Sequence, residues 1–149
     1  MKRTFLATFL SIVFAMVAVA CHSSDEKEIG YAELPVQAQQ FVKQYFPTAT
    51  YTYVEKEKDN GKWEYEATLN DGTKIDFNSK GEWKCVDCKF SALPSGIIPD
   101  VIVADIAQRY PSQQPYKIEK EIGGYEIDIP GYDLYYSSAG KFIRAEIDR

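Results

Sequence analysis

The chain carries its apolar residues in two rhythms. Ala38, Phe41, Val42 and Tyr45 follow the spacing i, i+3, i+4, i+7, the stripe of a helix with one buried side. Val103, Ile106, Ala107 and Tyr110 repeat it. Pro35 and Pro99 stand where these helices start, a place where the missing N–H costs nothing, and Pro47 and Pro111 end both segments. After each helix the period drops to two. Trp63, Tyr65, Ala67 and Leu69 alternate with Lys62, Glu64, Glu66 and Thr68, and Tyr125, Ile127 and Ile129 alternate with Glu126 and Asp128. That rhythm predicts antiparallel strands with one buried and one wet face. Asn60-Gly61, Asn70-Asp71-Gly72, Ser79-Lys80-Gly81 and Gly123-Gly124 supply the turns.

The two halves match each other in order. Leu34-Pro35 and Tyr45-Phe46-Pro47 correspond to Ile98-Pro99 and Arg109-Tyr110-Pro111 at an offset of 64. Val54-Glu55-Lys56-Glu57 corresponds to Ile118-Glu119-Lys120-Glu121, and Trp63-Glu64-Tyr65-Glu66 to Tyr125-Glu126-Ile127-Asp128. Gly81-Glu82-Trp83 corresponds to Gly140-Lys141-Phe142. The expected fold class is α+β: two tandem repeats of one helix plus a four-stranded antiparallel sheet, with the helices packed on one face. Each repeat is close to the size at which a core is marginal, so the two are expected to fold as one unit.

Lys2 and Arg3 precede an apolar run from Phe5 to Ala20. The run is shorter than the roughly 20 residues a membrane span needs. Residues 1–20 therefore read as a signal peptide. Two cleavage readings stay open at Ala18-Val19-Ala20-Cys21. One is ordinary signal peptidase. The other resembles the lipobox of bacterial lipoproteins, with Cys21 as the lipid attachment site and the only route to a membrane. The expected location is the periplasm or the outer membrane. Residues 21–30 read as a polar tether, 31–90 as the first repeat and 91–149 as the second.

The formal net charge is −5, and removing Lys2 and Arg3 with the leader makes it −7. An acidic surface repels phosphate backbones, so nucleic acid is not an expected partner. One histidine, His22, leaves little material for a His-based metal site or a Ser-His-Asp triad. Asp59-Asn60-Gly61 and Asn70-Asp71-Gly72 lack the ligand spacing of a calcium loop and read as turns. No metal or cofactor is expected. Cys85-Val86-Asp87-Cys88 lies at the end of a predicted strand, where residues three apart point to opposite faces. A structural disulfide between Cys85 and Cys88, which would require a turn there, or a pair of free thiols suits this placement better than a redox or zinc role.

The pattern Leu34-Pro35, Phe46-Pro47, Val54-Glu55-Lys56, Asp71-Gly72, Gly81-Glu82-Trp83 resembles the PepSY-like family, whose members are also described as resembling the β-lactamase inhibitor protein. The resemblance covers residues 30–149. It implies a broad curved sheet face with helices behind, and it carries no catalytic residue. Alternation puts Tyr51, Tyr53, Trp83, Tyr135, Phe142 and Arg144 on the outward face, among Glu55, Glu64, Glu66, Asp76, Glu119, Glu126 and Asp128. Aromatics with an arginine anchor protein interfaces, and an acidic surround steers a basic partner. The expected role is non-catalytic binding of a protein or peptide through that face, inhibition of an envelope hydrolase being one form. An accessory subunit of an envelope complex is the second reading. The plainer account, that large aromatics stack across strands for stability, stays open beside both.

Overall fold

The computed structural model describes residues 26–89 and 91–148. The expected signal peptide and Cys21 lie outside the described residues. In chain order the elements are β1 (Lys27–Glu28), a short 3-10 turn (Tyr31–Glu33), α1 (Val36–Tyr45), β2 (Tyr51–Asp59), β3 (Lys62–Leu69), β4 (Lys74–Phe77) and β5 (Trp83–Asp87). Then come α2 (Asp100–Arg109), β6 (Lys117–Glu121), β7 (Gly124–Ile129), β8 (Tyr132–Ser137) and β9 (Phe142–Ile147).

All nine strands form one sheet whose spatial order is the chain order. Every neighbouring pair is antiparallel. This corrects the expected fold of two four-stranded sheets. The halves fuse where β5 meets β6, in the register Cys85–Glu119, Val86–Ile118 and Asp87–Lys117. Separate sheets would leave both strands as edges with unpaired N–H and C=O groups. The seam satisfies those groups and buries Val86 and Ile118 completely. The ninth strand, β1, and the buried Ile29 lie within residues 21–30, so the expected polar tether is corrected there: its last residues belong to the folded sheet.

Both helices pack on one face of this sheet. Pro35 and Pro99 are N-caps with extended ψ, one position before the first helical residue. α1 buries Ala38 and Val42, with Phe41 and Tyr45 beside them. α2 buries Ile102 and Ile106, while Val103, predicted to face the core, is 48% exposed. The buried pairs of the two helices thus coincide at the offset of 64, and the predicted stripe of α2 began one residue late. Beneath them Ala67, Leu69, Ile75, Phe77, Ile127, Ile129, Leu134 and Tyr136 form one continuous core.

The cover thins at both ends of the sheet. Trp63 is 39% exposed and carries the ammonium groups of Lys56 and Lys58 over its ring. Ala145 and Ile147 pair with Leu134 and Tyr132 on the helix side yet stand exposed, at the last strand of the described sheet.

The register breaks at three places. Tyr51 and Tyr53 are successive partners of Leu69 and Thr68, Trp83 and Cys85 of Phe77 and Asp76, and Phe142 and Arg144 of Tyr136 and Tyr135. The extra residues are Thr52, Lys84 and Ile143. Each is a β-bulge, which shifts the in-out alternation of the strand by one.

Candidate functional site: the open face of the sheet

The helix-free face is the surface this fold offers, and the bulges decide which side chains reach it. Tyr53 lies on it, paired with Thr68, and so do Tyr135 and Arg144, paired with each other. The Arg144 guanidinium lies 3.6 Å from the centre of the Tyr135 ring. Tyr51, Trp83 and Phe142 do not join them. They pair with the core residues Leu69, Phe77 and Tyr136 and therefore point to the helix side. There Tyr51 stacks on Tyr31 at 4.3 Å, Trp83 meets Phe41 at 6.2 Å, and Phe142 meets Tyr136 at 5.5 Å with the Arg109 guanidinium over its ring. The expectation of six outward anchors is thus corrected to three. Strict alternation fails across a bulge, and the bulges fall between these residues and the rest of their strands.

Register assembles something else on the open face. The partners Glu28, Glu55, Glu66, Asp76, Cys85, Glu119, Glu126, Tyr135 and Arg144 form one row, one residue from each strand. Adjacent strands are about 4.8 Å apart, so carboxylates face carboxylates at close range in four of the row's eight pairings. A second row runs Tyr53, Thr68, Lys74, Asp87, Lys117, Asp128, Asp133 and Glu146. Its lysines answer the first row. Lys74 binds Glu66 at 2.7 Å, and Lys117 reaches Asp128 at 3.3 Å and both Glu119 and Glu126 at 3.5 Å. Lys84, the bulge residue, binds Glu64 at 2.6 Å. Glu55, Glu57, Glu64, Glu66, Asp76 and Lys84 line a shallow recess of 260 Å³. Alternation placed most of these carboxylates outward. Their alignment into a row was invisible, because it depends on which residues meet across strands.

The sequence profile described as "Putative beta-lactamase-inhibitor-like, PepSY-like" matches residues 63–144. The chain belongs to the PepSY-like family. Solved structures agree. A "putative periplasmic protein" of the DUF2874 family from Bacteroides vulgatus is 31% identical, with a TM-score of 0.79 over 83% of this chain and 98% of that one. A "putative calcium-regulated periplasmic protein" from Bacteroides thetaiotaomicron is 32% identical, with a TM-score of 0.78 over 82% of this chain and 97% of that one. A second Bacteroides vulgatus periplasmic protein, described as of unknown function, is 31% identical, with a TM-score of 0.78 over 81% and 98% of the two chains. These relatives support an exported, periplasmic setting, and none is described as an enzyme. No curated protein matches the chain.

Crowding on the open face of this PepSY-like chain shows in its acid–base properties. Burial, with Glu66 and Glu119 nearby, pushes the Asp76 carboxyl up to about 6. Asp128 is only 8% exposed, and burial pushes it to about 6 against the pull of Lys117. Its Oδ1 is buried and has no hydrogen-bond partner among the described residues, which adds to the cost of ionising it. Burial works against the charge on Lys117, but Asp128 and its neighbours hold the ammonium above its usual range. Cys85 sits in the carboxylate row between Asp76 and Glu119, and burial with those two charges pushes its thiol up to about 12. Cys88 follows β5 and joins the core, and both thiols are free. The strand sets them three residues apart on opposite sides, out of reach of one another. Among the described residues, no three His, Cys, Asp or Glu side chains converge as a metal-holding group.

Proposed function

We infer that this chain is a non-catalytic envelope protein that holds a basic protein or peptide segment against its open sheet face. The carrying observation is the row from Glu28 to Arg144, in which six carboxylates from Glu28, Glu55, Glu66, Asp76, Glu119 and Glu126 align across the sheet. Like charges in register destabilise a sheet, and a cationic partner laid across the strands relieves that repulsion as it binds. Tyr53 and the Tyr135–Arg144 stack mark opposite ends of the face and supply rigid aromatic contact. The raised Asp76 and Asp128 follow from burial and crowding on a continuous ladder. A partner's lysines would draw both toward their ionised forms.

The location follows the sequence. Export through the residues 1–20 leader, with Cys21 lipidated, would hold the sheet close to a membrane surface while residues 22–25 space it off. Inhibition of an envelope hydrolase is one outcome of such binding. Calcium regulation is named for the Bacteroides thetaiotaomicron relative, and among the described residues of this chain no three His, Cys, Asp or Glu side chains converge on a metal-sized site.

Affinity capture from envelope extracts tests the reading. The chain is compared with Glu66→Lys/Glu126→Lys and with Tyr53→Ala/Tyr135→Ala. The expected result is a basic protein retained by the wild type, released by salt and lost from both variants while their thermal midpoints stay close to wild type. Identical retention by all three proteins would rule out the open face as the binding surface.

A further inference from the structure

The last strand is an open edge. Among the described residues, β9 pairs with β8 on one side, and no strand pairs with its other side along Phe142–Ile147. Natural sheets blunt such edges with charge, proline or brevity. The opposite edge does so: β1 is two residues long, Lys27 and Glu28, and caps β2 beside Lys56 and Glu55. β9 is six residues long, and its Ile143 and Ile147 are 58% and 72% exposed. The α2 residue Arg109 covers Phe142 at the start of this strand, while Ile143 to Ile147 beyond it stand exposed.

The order of residues on β9 is complementary to itself when reversed. Take two copies antiparallel, with Ala145 facing Ala145 across a two-fold axis. Arg144 then faces the partner's Glu146 and Glu146 faces the partner's Arg144, while the bulge residue Ile143 lies outside the regular pairing. Opposite charges coincide in one register on both sides of the axis, as an isologous contact demands. A shift of one position in either direction breaks both matches. Within one chain, Arg144 and Glu146 already bind each other at 2.7 Å, with both side chains about half exposed, so they stand ready to share a second pair of partners.

We propose that β9 is a homodimerisation edge, through which two copies join into one continuous eighteen-stranded sheet with both acidic faces on the same side. The short, charged β1 edge cannot repeat this contact, so the assembly closes at two copies instead of growing into a fibre. Arg144 and Glu146 reach this edge from the open face, but the trapping position Ala145 pairs with the buried Leu134 on the helix side, so dimerisation is read separately from peptide binding. Six residues of edge bury far less than the ~1,600 Å² of a standard interface. The dimer is therefore weak in dilute solution and favoured where the chains are concentrated on a surface.

Covalent trapping reads such a contact best. Facing Cα atoms in an antiparallel pair lie about 4.5–5.5 Å apart, inside the range a disulfide spans. The full chain carrying Ala145→Cys is oxidised in the envelope and run on a non-reducing gel, beside the parent chain and a Lys80→Cys control on an exposed hairpin. The expected result is a band at twice the monomer mass for Ala145→Cys alone. Arg144→Glu or Glu146→Arg, added singly, should lower that band about fivefold through like-charge contacts across the axis. The two together restore opposite pairing and should recover it. A dimer band no stronger than that of Lys80→Cys, a band at the mass of a different protein, or failure of the charge swap to recover the band would each overturn the proposal.

Discussion

Trp83 faces Phe77 across β4 and β5, and Lys84 is the extra residue that puts it there. One inserted residue turns an indole from the wet side of the sheet to the side of α1, where Phe41 meets it and the Lys120 ammonium lies 3.8 Å from its centre. Trp83→Ala should therefore cost about 2 kcal/mol of stability, somewhat less than a fully buried tryptophan. Tyr135→Ala on the open face should cost less than about 1 kcal/mol. Urea unfolding of both variants checks the difference, and equal losses would mean the bulge does not turn Trp83 inward.

Gly81 brings the hairpin between β4 and β5 under the start of α1. Its φ is +83, and a Cβ there would stand 2.7 Å from Pro35 Cβ and 2.9 Å from the Ala38 nitrogen. Gly61, at φ +80, has nothing within 4 Å of its Cβ position. Gly61→Ala bears the backbone strain alone, about 1 kcal/mol. Gly81→Ala adds a clash with helix backbone and should cost at least about 2–3 kcal/mol. Calorimetry of the pair separates conformational strain from close approach.

Asp76 and Asp128 give the chain an unusual pH response. Both rise from an ordinary 3.8 to about 6, so the folded state holds their protons more tightly than the unfolded state does. Their effect on stability is most favourable below the unfolded value, declines as pH rises from 3.8 to about 6, and is flat above that. Asp76→Asn should raise stability at pH 7 by about 1 kcal/mol after solvent screening and flatten the decline. Denaturation midpoints at pH 4.5 and pH 7 for the wild type and the variant test the sign. A variant less stable than wild type at pH 7 would contradict it.

The Cys85 thiol, pushed to about 12, should be a poor nucleophile. Relative to the ordinary thiol value of 9.0, its thiolate population at neutral pH is down by about a thousandfold. Alkylation by iodoacetamide, followed by intact mass, should be correspondingly slow in the folded chain and faster in Asp76→Asn, which removes one flanking charge. Reaction at the rate of an unstructured cysteine would place Cys85 outside the carboxylate row.

Much of this molecule was legible in its residues because the information was local. Helical spacing located α1 and α2, alternation located the strand cores, and Asn60-Gly61, both at positive φ, made the predicted tight turn. The outward placement of Glu66, Asp76 and Glu126 followed from the same alternation. Three of the six aromatic and basic anchors were misplaced, each across a bulge. A bulge is one extra residue relative to a partner strand, and alternation within one strand contains no partner.

By itself, then, the order of amino acids determined which segments are helices, which are strands, where they turn, and that the surface is acidic. Those outcomes depend on contacts a few residues apart. Only the tertiary structure decided that β5 joins β6, that Trp83 and Phe142 turn inward while Tyr135 stays out, and that the carboxylates of successive strands fall into line. Each of these is a choice of register between segments distant in the chain, set by core burial and hydrogen-bond pairing together. The same registers leave β9 with one side unpaired.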